Sequence, residues 1–185
     1  MPPAARITKE DILSAGLSLI QDQGPDALNA RALAARLNCS TQPIFSNFPS
    51  MDALQIALIQ KAEEIFQSYM DHEIAKKLYP PYKASGMAYI RFTQKEPQLF
   101  RLLYMRDRSS EDVNQPSSLF DQMIHMVQGN TGLTQDRAAL MHLEIWIFVH
   151  GLAMMAVTQY LPLQEEQISA MITDIYQGLK TRHNP

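Results

Sequence analysis

Apolar residues recur every three or four positions through almost the whole chain, and alternating β-branched runs are missing. That period belongs to helices that pack by one face. The first helix is expected over 9–23, with Leu13, Leu17 and Ile20 in its stripe. Thr8 can cap it. Asp11, three residues on, can answer the cap and meets the positive end of the helix dipole. Gly24-Pro25 ends it, since glycine accepts a left-handed turn and proline cannot continue a helix. A short helix follows over 30–37, capped by Asn29, with Leu33, Ala34 and Leu37 inward. Asn38-Cys39 makes a tight turn. Ser40 or Thr41 then starts a second short helix through Asn47, with Pro43 in its first turn, where the missing N–H costs nothing. Phe48-Pro49-Ser50 breaks the chain, and Ser50 can cap a long helix over 51–77 whose face uses Leu54, Leu58, Ile65 and Tyr69.

Tyr79-Pro80-Pro81-Tyr82 reads as a hinge. Helices are expected beyond it over 81–94, 97–105 and 116–129, with a polar, charged loop over 106–115. Thr134 caps the longest apolar helix, 135–160, which Pro162 ends. Its middle, Ile145-Trp146-Ile147-Phe148-Val149, is apolar on every side and has to be covered all round, by its own domain or by a partner. The last helix, 163–182, carries Ile168, Met171, Ile172, Ile175, Tyr176 and Leu179 in one stripe. The expected fold is all-α. A small N-terminal domain over 1–50 is linked through the helix 51–77 to a larger helical domain over 51–185.

Composition narrows the classes. Hydrophobic residues make 46% of the 185 and charged residues 19%, which places the chain among ordinary globular proteins rather than disordered ones. Its single cysteine, Cys39, excludes an intramolecular disulfide and any multi-cysteine zinc site. Cys39 reads as a small buried hydrophobe rather than a redox sensor, because no cationic neighbour in sequence would activate it. No uninterrupted apolar run approaches the roughly 20 residues of a membrane helix, and the first residues lack an apolar signal core. A soluble, cytoplasmic protein with no membrane association is therefore expected. HExxH, CxxC, GxSxG and glycine-rich phosphate loops are all absent from the sequence. No enzyme activity, metal or cofactor is expected. The net charge of −3 counts against a nucleic-acid binder, though weakly, because DNA is met by one face and not by the average charge.

The first three helices carry the informative constellation. The second and third are joined by about four residues, 38–41, which is helix-turn-helix spacing. Such a turn sets the later helix steeply against the earlier one, so that its outer face can enter a major groove. That helix is uncharged. Gln42 and Asn47 can bond adenine bidentately, and Thr41, Pro43 and Phe45 can pack on thymine methyls. Ile44 and Phe48 are left to hold it in place.

The pattern Ile12-Leu13, Gly24, Leu28-Asn29-Ala30-Arg31-Ala32-Leu33-Ala34, Leu37-Asn38-Cys39-Ser40, Ile44-Phe45-Ser46-Asn47-Phe48, Ser50 and Leu54 resembles the DNA-binding domain of the TetR family of transcriptional regulators. The string Trp146-Ile147-Phe148-Val149-His150-Gly151 resembles the ligand-domain signature of the family's WHG subgroup. The resemblance implies that Arg31 meets phosphate or a base edge, and that Thr41, Gln42, Pro43, Phe45 and Asn47 face DNA, with Ser46 on the same short helix. It also implies a phosphate contact at the start of the fourth helix, near Ser50. Three departures stand out. Phe45 replaces the usual tyrosine, Asn47 the usual histidine, and Met51 the usual lysine. Over residues 1–60, Arg6, Lys9, Arg31 and Arg36 face Glu10, Asp11, Asp22, Asp26 and Asp52, so few phosphate ion pairs and a shallow salt dependence are expected.

In the second region, Trp146 and His150 share a helix face four residues apart. They read either as core or as a pocket wall in which His150 gives a ligand a polar handle. Tyr89, Phe100, Tyr104, Met105, Met123 and Met154 carry the same two readings, since methionine adapts to irregular space. The family packs its last two helices against a symmetry mate as a four-helix bundle. Here that implies a homodimer face around Met141, Ile145, Phe148, Leu152, Ile168, Met171, Ile172, Ile175 and Leu179. The resulting expectation is a ligand-responsive regulator, a repressor, that binds a palindromic DNA operator as a homodimer and responds to an apolar or amphipathic small molecule. The alternative is a helical small-molecule-binding protein or interaction module with a vestigial helix-turn-helix.

Overall fold

The computed structural model describes residues 7–107, 109 and 118–183. Among them are nine α-helices and no strand. The helices are α1 (Lys9–Gln23), α2 (Ala30–Arg36), α3 (Gln42–Asn47), α4 (Met51–Ala75), α5 (Pro81–Lys95), α6 (Pro97–Tyr104), α7 (Ser118–Thr131), α8 (Gln135–Val157) and α9 (Glu165–His183). Most of the polar loop expected over 106–115 lies outside the described residues. The chain forms two compact units. One comprises the residues up to Gln67 together with Glu96–Arg106; the other comprises Ser68–Lys95 and the residues from Asp107 onward. The division falls inside α4 rather than at residue 50, and it assigns α6 to the first unit.

In the first unit, local chemistry fixes the helix ends. The Thr8 side chain accepts from the Asp11 amide at 3.1 Å, and the Asp11 carboxylate accepts from the Thr8 amide at 2.8 Å, a reciprocal capping box. The Thr8 hydroxyl, 2.6 Å from the Asp11 carboxylate, and the Thr8 amide both donate to it and hold its pKa below the ordinary value. Gly24, at φ 88°, turns the chain out of α1, and a 3-10 turn over Pro25–Ala27, which the periodicity does not announce, carries it to α2. The Asn29 side chain accepts from the Ala32 amide at 2.9 Å and caps α2. Asn38 closes α2 in the left-handed region, at φ 52°, a conformation that asparagine tolerates. The core gathers Ile12, Leu13, Leu19, Ile20, Leu33, Ile44, Phe48, Leu54 and Leu58, all buried. Leu58 of α4 lies hard against Gly16 of α1, where an added Cβ would meet its Cδ2 at 2.9 Å. That packing explains why the start of α4 belongs with the helix-turn-helix. Helix α6 packs on α1, and Gln21 donates to Glu96 at 2.8 Å.

In the second unit, α5 packs against α7, α8 and α9. It buries Tyr82, Met87, Tyr89, Ile90 and Phe92. Arg91 of α5 donates to Glu73 of α4 and to Glu165 of α9, and Lys76 shares the Glu73 oxygen. Helix α8 stops at Val157, three residues short of expectation. Gln159 sits at φ 54°, and the Tyr160 amide folds back to the Met155 carbonyl at 3.0 Å. By length and composition α8 is apolar enough to cross a membrane, contrary to the expectation that no segment qualifies. The difference is one of averaging, because His142, Glu144 and His150 interrupt the run without lowering its mean hydropathy below that of a span. Its buried side, with Met141, Ile145, Val149 and Leu152, is that of a core helix.

Candidate functional site

The tight turn between α2 and α3 sets α3 on two anchors. Ile44 is fully buried and Phe48 is 3% exposed, with the Lys9 ammonium 5.1 Å over the Phe48 ring. The opposite side of this six-residue helix faces outward. Gln42 and Ser46 are exposed, and Phe45 is 47% exposed. The i, i+3, i+4 spacing places these three on one face. Thr41, Pro43 and Asn47 flank it, half-buried. Two of the polar side chains are engaged at home. Ser46 Oγ donates to the Gln42 carbonyl at 2.9 Å, and Asn47 Nδ2 donates to the Pro43 carbonyl at 2.8 Å. Ser50 is exposed, and its Oγ accepts from the Ala53 amide at 3.1 Å, so this side chain caps α4.

The cations divide in the same way. Arg36 donates to Ser18 at 2.8 Å and pairs with Asp22. Arg31, in the first turn of α2, is exposed and makes no ion pair among the described residues. Arg6 lies outside the described residues. Cys39 is half-buried in the turn rather than buried.

The eight residues expected around a pocket do not share one unit. Phe100, Tyr104 and Met105 belong to the first, where the rings of Phe100 and Tyr104 stand 5.1 Å apart and Met105 is exposed. Tyr89, Met123, Trp146, His150 and Met154 belong to the second. Three of these meet. The Tyr89 hydroxyl lies 2.8 Å from His150 Nδ1, and the Trp146 ring stacks on the imidazole at 5.3 Å and 24°. Burial lowers the His150 pKa from its ordinary value, which favours the neutral imidazole in this bond. Trp146 remains 39% exposed, and Met123 is buried.

A second pair escaped the sequence reading. The Tyr82 hydroxyl lies 2.8 Å from His142 Nδ1, both side chains buried, with the Phe120 ring 4.9 Å from the imidazole. Burial pushes His142 down to about 4 and pushes the Tyr82 hydroxyl up, so the bond joins a neutral imidazole to a neutral phenol. The near-equal intervals from Tyr82 to Tyr89 and from His142 to His150 were the available signal. Two parallel tyrosine–histidine bonds join α5 to α8.

The expected dimer face needs correction. Met141, Ile145, Leu152, Ile168 and Ile172 are buried within the protomer, where a second chain cannot reach them. Phe148, Met171, Ile175 and Leu179 are half-buried. The apolar side chains that α8 leaves open are Leu140, Leu143, Trp146, Ile147 and Met155.

Several solved structures share this fold. A TetR-like transcriptional regulator from Rhodococcus sp. RHA1 aligns with a TM-score of 0.66 at 17% identity, covering 96% of this chain and 96% of that one. A protein of unknown function from the same source aligns at 0.79 and 19% identity, covering 97% and 100%. A TetR variant from Acinetobacter baumannii AYE in complex with minocycline aligns at 0.64 and 16% identity, covering 97% and 99%. No curated protein matches the sequence. Two family models do match. Residues 12–58 fit the model of bacterial regulatory proteins of the tetR family, and residues 82–176 fit the tetracyclin repressor-like C-terminal domain. The second match alone spans more than half of the chain, and with the helix-turn-helix ahead of it the protein belongs to the TetR family of transcriptional regulators.

Proposed function

We propose that this TetR-family protein is a cytoplasmic repressor that binds a palindromic DNA operator as a homodimer and releases it on binding an apolar or amphipathic small molecule. The observation that supports DNA binding is the outward face of α3. Its side chains Gln42, Phe45 and Ser46 are open while Ile44 and Phe48 hold the helix down. A six-residue helix with only two anchors gives little to the core, and an exposed phenylalanine on it has a clear use against thymine methyls. Arg31 contacts phosphate from the neighbouring helix, and the amides at the start of α4 receive a second phosphate.

The homodimer forms through the open side of α8. Leu140, Leu143 and Ile147 continue along one stripe to Gly151 and Met154, and a Cβ at Gly151 would meet nothing within 4 Å. An apolar stripe of this extent on a water-soluble regulator is covered by a partner. Half-buried Met171, Ile175 and Leu179 of α9 flank it in an isologous bundle. Two recognition helices then meet successive major grooves about 34 Å apart. The fold accepts minocycline in the Acinetobacter protein. Here the effector acts by preferring one orientation of α4, and it shifts the population only by its difference in affinity for the two states.

Mobility shift and footprinting on the DNA upstream of the protein's own gene test the reading. A protected two-fold site, lost on addition of effector, is the expected result. No retardation of this DNA or of random duplex at low salt would leave the helix-turn-helix vestigial. A screen of small molecules by Trp146 fluorescence tests the effector site. Inducers that leave the spectrum and their affinity for His150→Ala unchanged would place that site elsewhere.

A further inference from the structure

The helix that faces DNA holds six residues, and its polar groups are not equally free. Ser46 Oγ is spent on the Gln42 carbonyl at 2.9 Å. Asn47, half-buried, has its amide turned back on the Pro43 carbonyl at 2.8 Å. A bidentate grip on adenine needs one donor and one acceptor of the same amide aimed together at the base edge. Asn47 is oriented along its own helix instead. Gln42 is exposed in the first turn, with a longer side chain and no side-chain bond to its own helix among the described residues. Three residues on, the ring of Phe45 is 47% exposed on the same face.

Charge removes the main competitor. Guanine in the major groove is read chiefly by arginine or lysine through O6 and N7. Between Arg36 and Lys61 the chain holds no cation, Arg36 is tied to Asp22 and Ser18, and exposed Arg31 lies on α2, where the reading above gives it to phosphate. The exposed α3 side chains that are not bonded back to their own helix are therefore an amide and an aromatic ring.

We propose that sequence selection by this protein rests on Gln42 and Phe45, and that each operator half-site presents to them an A·T pair, with adenine held by the Gln42 amide and a thymine C5-methyl packed on the Phe45 ring. Asn47 serves as a brace of α3 and contributes little to selection. This assignment rests on the DNA-binding reading above and deepens it.

The test starts from duplexes selected by the full-length protein from a random pool. Anisotropy titrations then compare the selected operator with operators in which single thymines are replaced by deoxyuridine, which removes only the methyl group. One replacement per half-site weakens the wild-type protein about three- to tenfold and leaves Phe45→Ala unaffected. Gln42→Ala loses about five- to hundredfold of the preference for A·T over G·C at one position, the range that separates a good bidentate pair from a wrong base. Asn47→Ala keeps that preference. Circular dichroism checks that each variant keeps its helices, as expected for exposed Gln42 and Phe45. Deoxyuridine without effect at every position, or selectivity kept by Gln42→Ala and lost by Asn47→Ala, overturns the assignment while leaving DNA binding intact. Failure of the wild-type protein to retain any duplex overturns both.

Discussion

Protonation of His142 gives the protein a specific acid weakness. The imidazole is 6% exposed, its Nδ1 shares a hydrogen bond with the Tyr82 hydroxyl, and the Phe120 ring lies beside it, so neither of these neighbours carries a charge. Burial holds its pKa at about 4, against 6.5 for the free side chain. The unfolded chain therefore takes up a proton at this residue over a pH range in which the folded chain does not. Stability from the neutral histidine is complete above pH 6.5 and is lost as the pH falls from 6.5 towards 4. Linkage with those two values gives a loss of about 2 kcal/mol by pH 5, rising to about 3 kcal/mol at the acid end. His142→Gln tests this without breaking the hydrogen bond, since the glutamine carbonyl can accept from Tyr82 and cannot be protonated. Urea denaturation of both proteins at fixed concentration, from pH 7 to pH 5, reads the difference. The wild type should lose about 2 kcal/mol more than the variant over that interval, a relative shift in midpoint of about 1 M. Other titrating groups act on both proteins and cancel. Parallel stability curves over the whole interval would refute a neutral, buried His142.

Other perturbations separate the parts of the account. Ile44→Ala removes one of the two anchors of α3 and should cost about 2–4 kcal/mol, with hydrogen exchange in residues 42–48 rising more than in α1. Unchanged exchange there would mean that Ile44 does not hold the helix. Asn29→Ala deletes the bond to the Ala32 amide and should cost about 1 kcal/mol in chemical denaturation, whereas Asn29→Gly should cost only a few tenths. Ile147→Lys places a charge on the open stripe of α8 and should yield a monomer in sedimentation equilibrium without loss of helix content. A dimer that persists would move the interface off this face. The logarithm of operator affinity against the logarithm of salt should fall with a slope of about −4 for a dimer that neutralises roughly four phosphates, and a slope near −10 would contradict a face so poor in free cations.

The helices were legible because their ends are written in short-range chemistry. Thr8 with Asp11, Asn29 and Ser50 cap where the sequence places them, and Gly24, Pro81 and Pro97 sit at turns or first-turn positions. The anchors Ile44 and Phe48 were legible too, because α3 has few other apolar residues to choose from. Which side of α8 stays open was not. A helix apolar on every side, as α8 is around Trp146, carries no periodicity to say which stripe meets its own protomer. The choice between Met141–Ile145–Leu152 and Leu140–Leu143–Ile147 is made by the packing of α5, α7 and α9. The expected pocket residues were scattered for a similar reason. Phe100, Tyr104 and Met105 repeat at helical spacing like Tyr89 and Met123, yet α6 joins the first unit, a long-range choice that local spacing does not record. The engagement of Ser46 and Asn47 with carbonyls of their own helix is a rotamer choice, invisible to composition.

The central claim is that the outer side of α3 lies against nucleotide bases. Replacing Phe45 with a photoreactive p-benzoylphenylalanine in the full-length protein, and irradiating it on its selected operator, tests this directly. Crosslinks to bases inside each half-site are the expected result, with none from the same group placed at Tyr160, which is 80% exposed in the other unit. A position-45 probe that labels no DNA while the complex forms would contradict it.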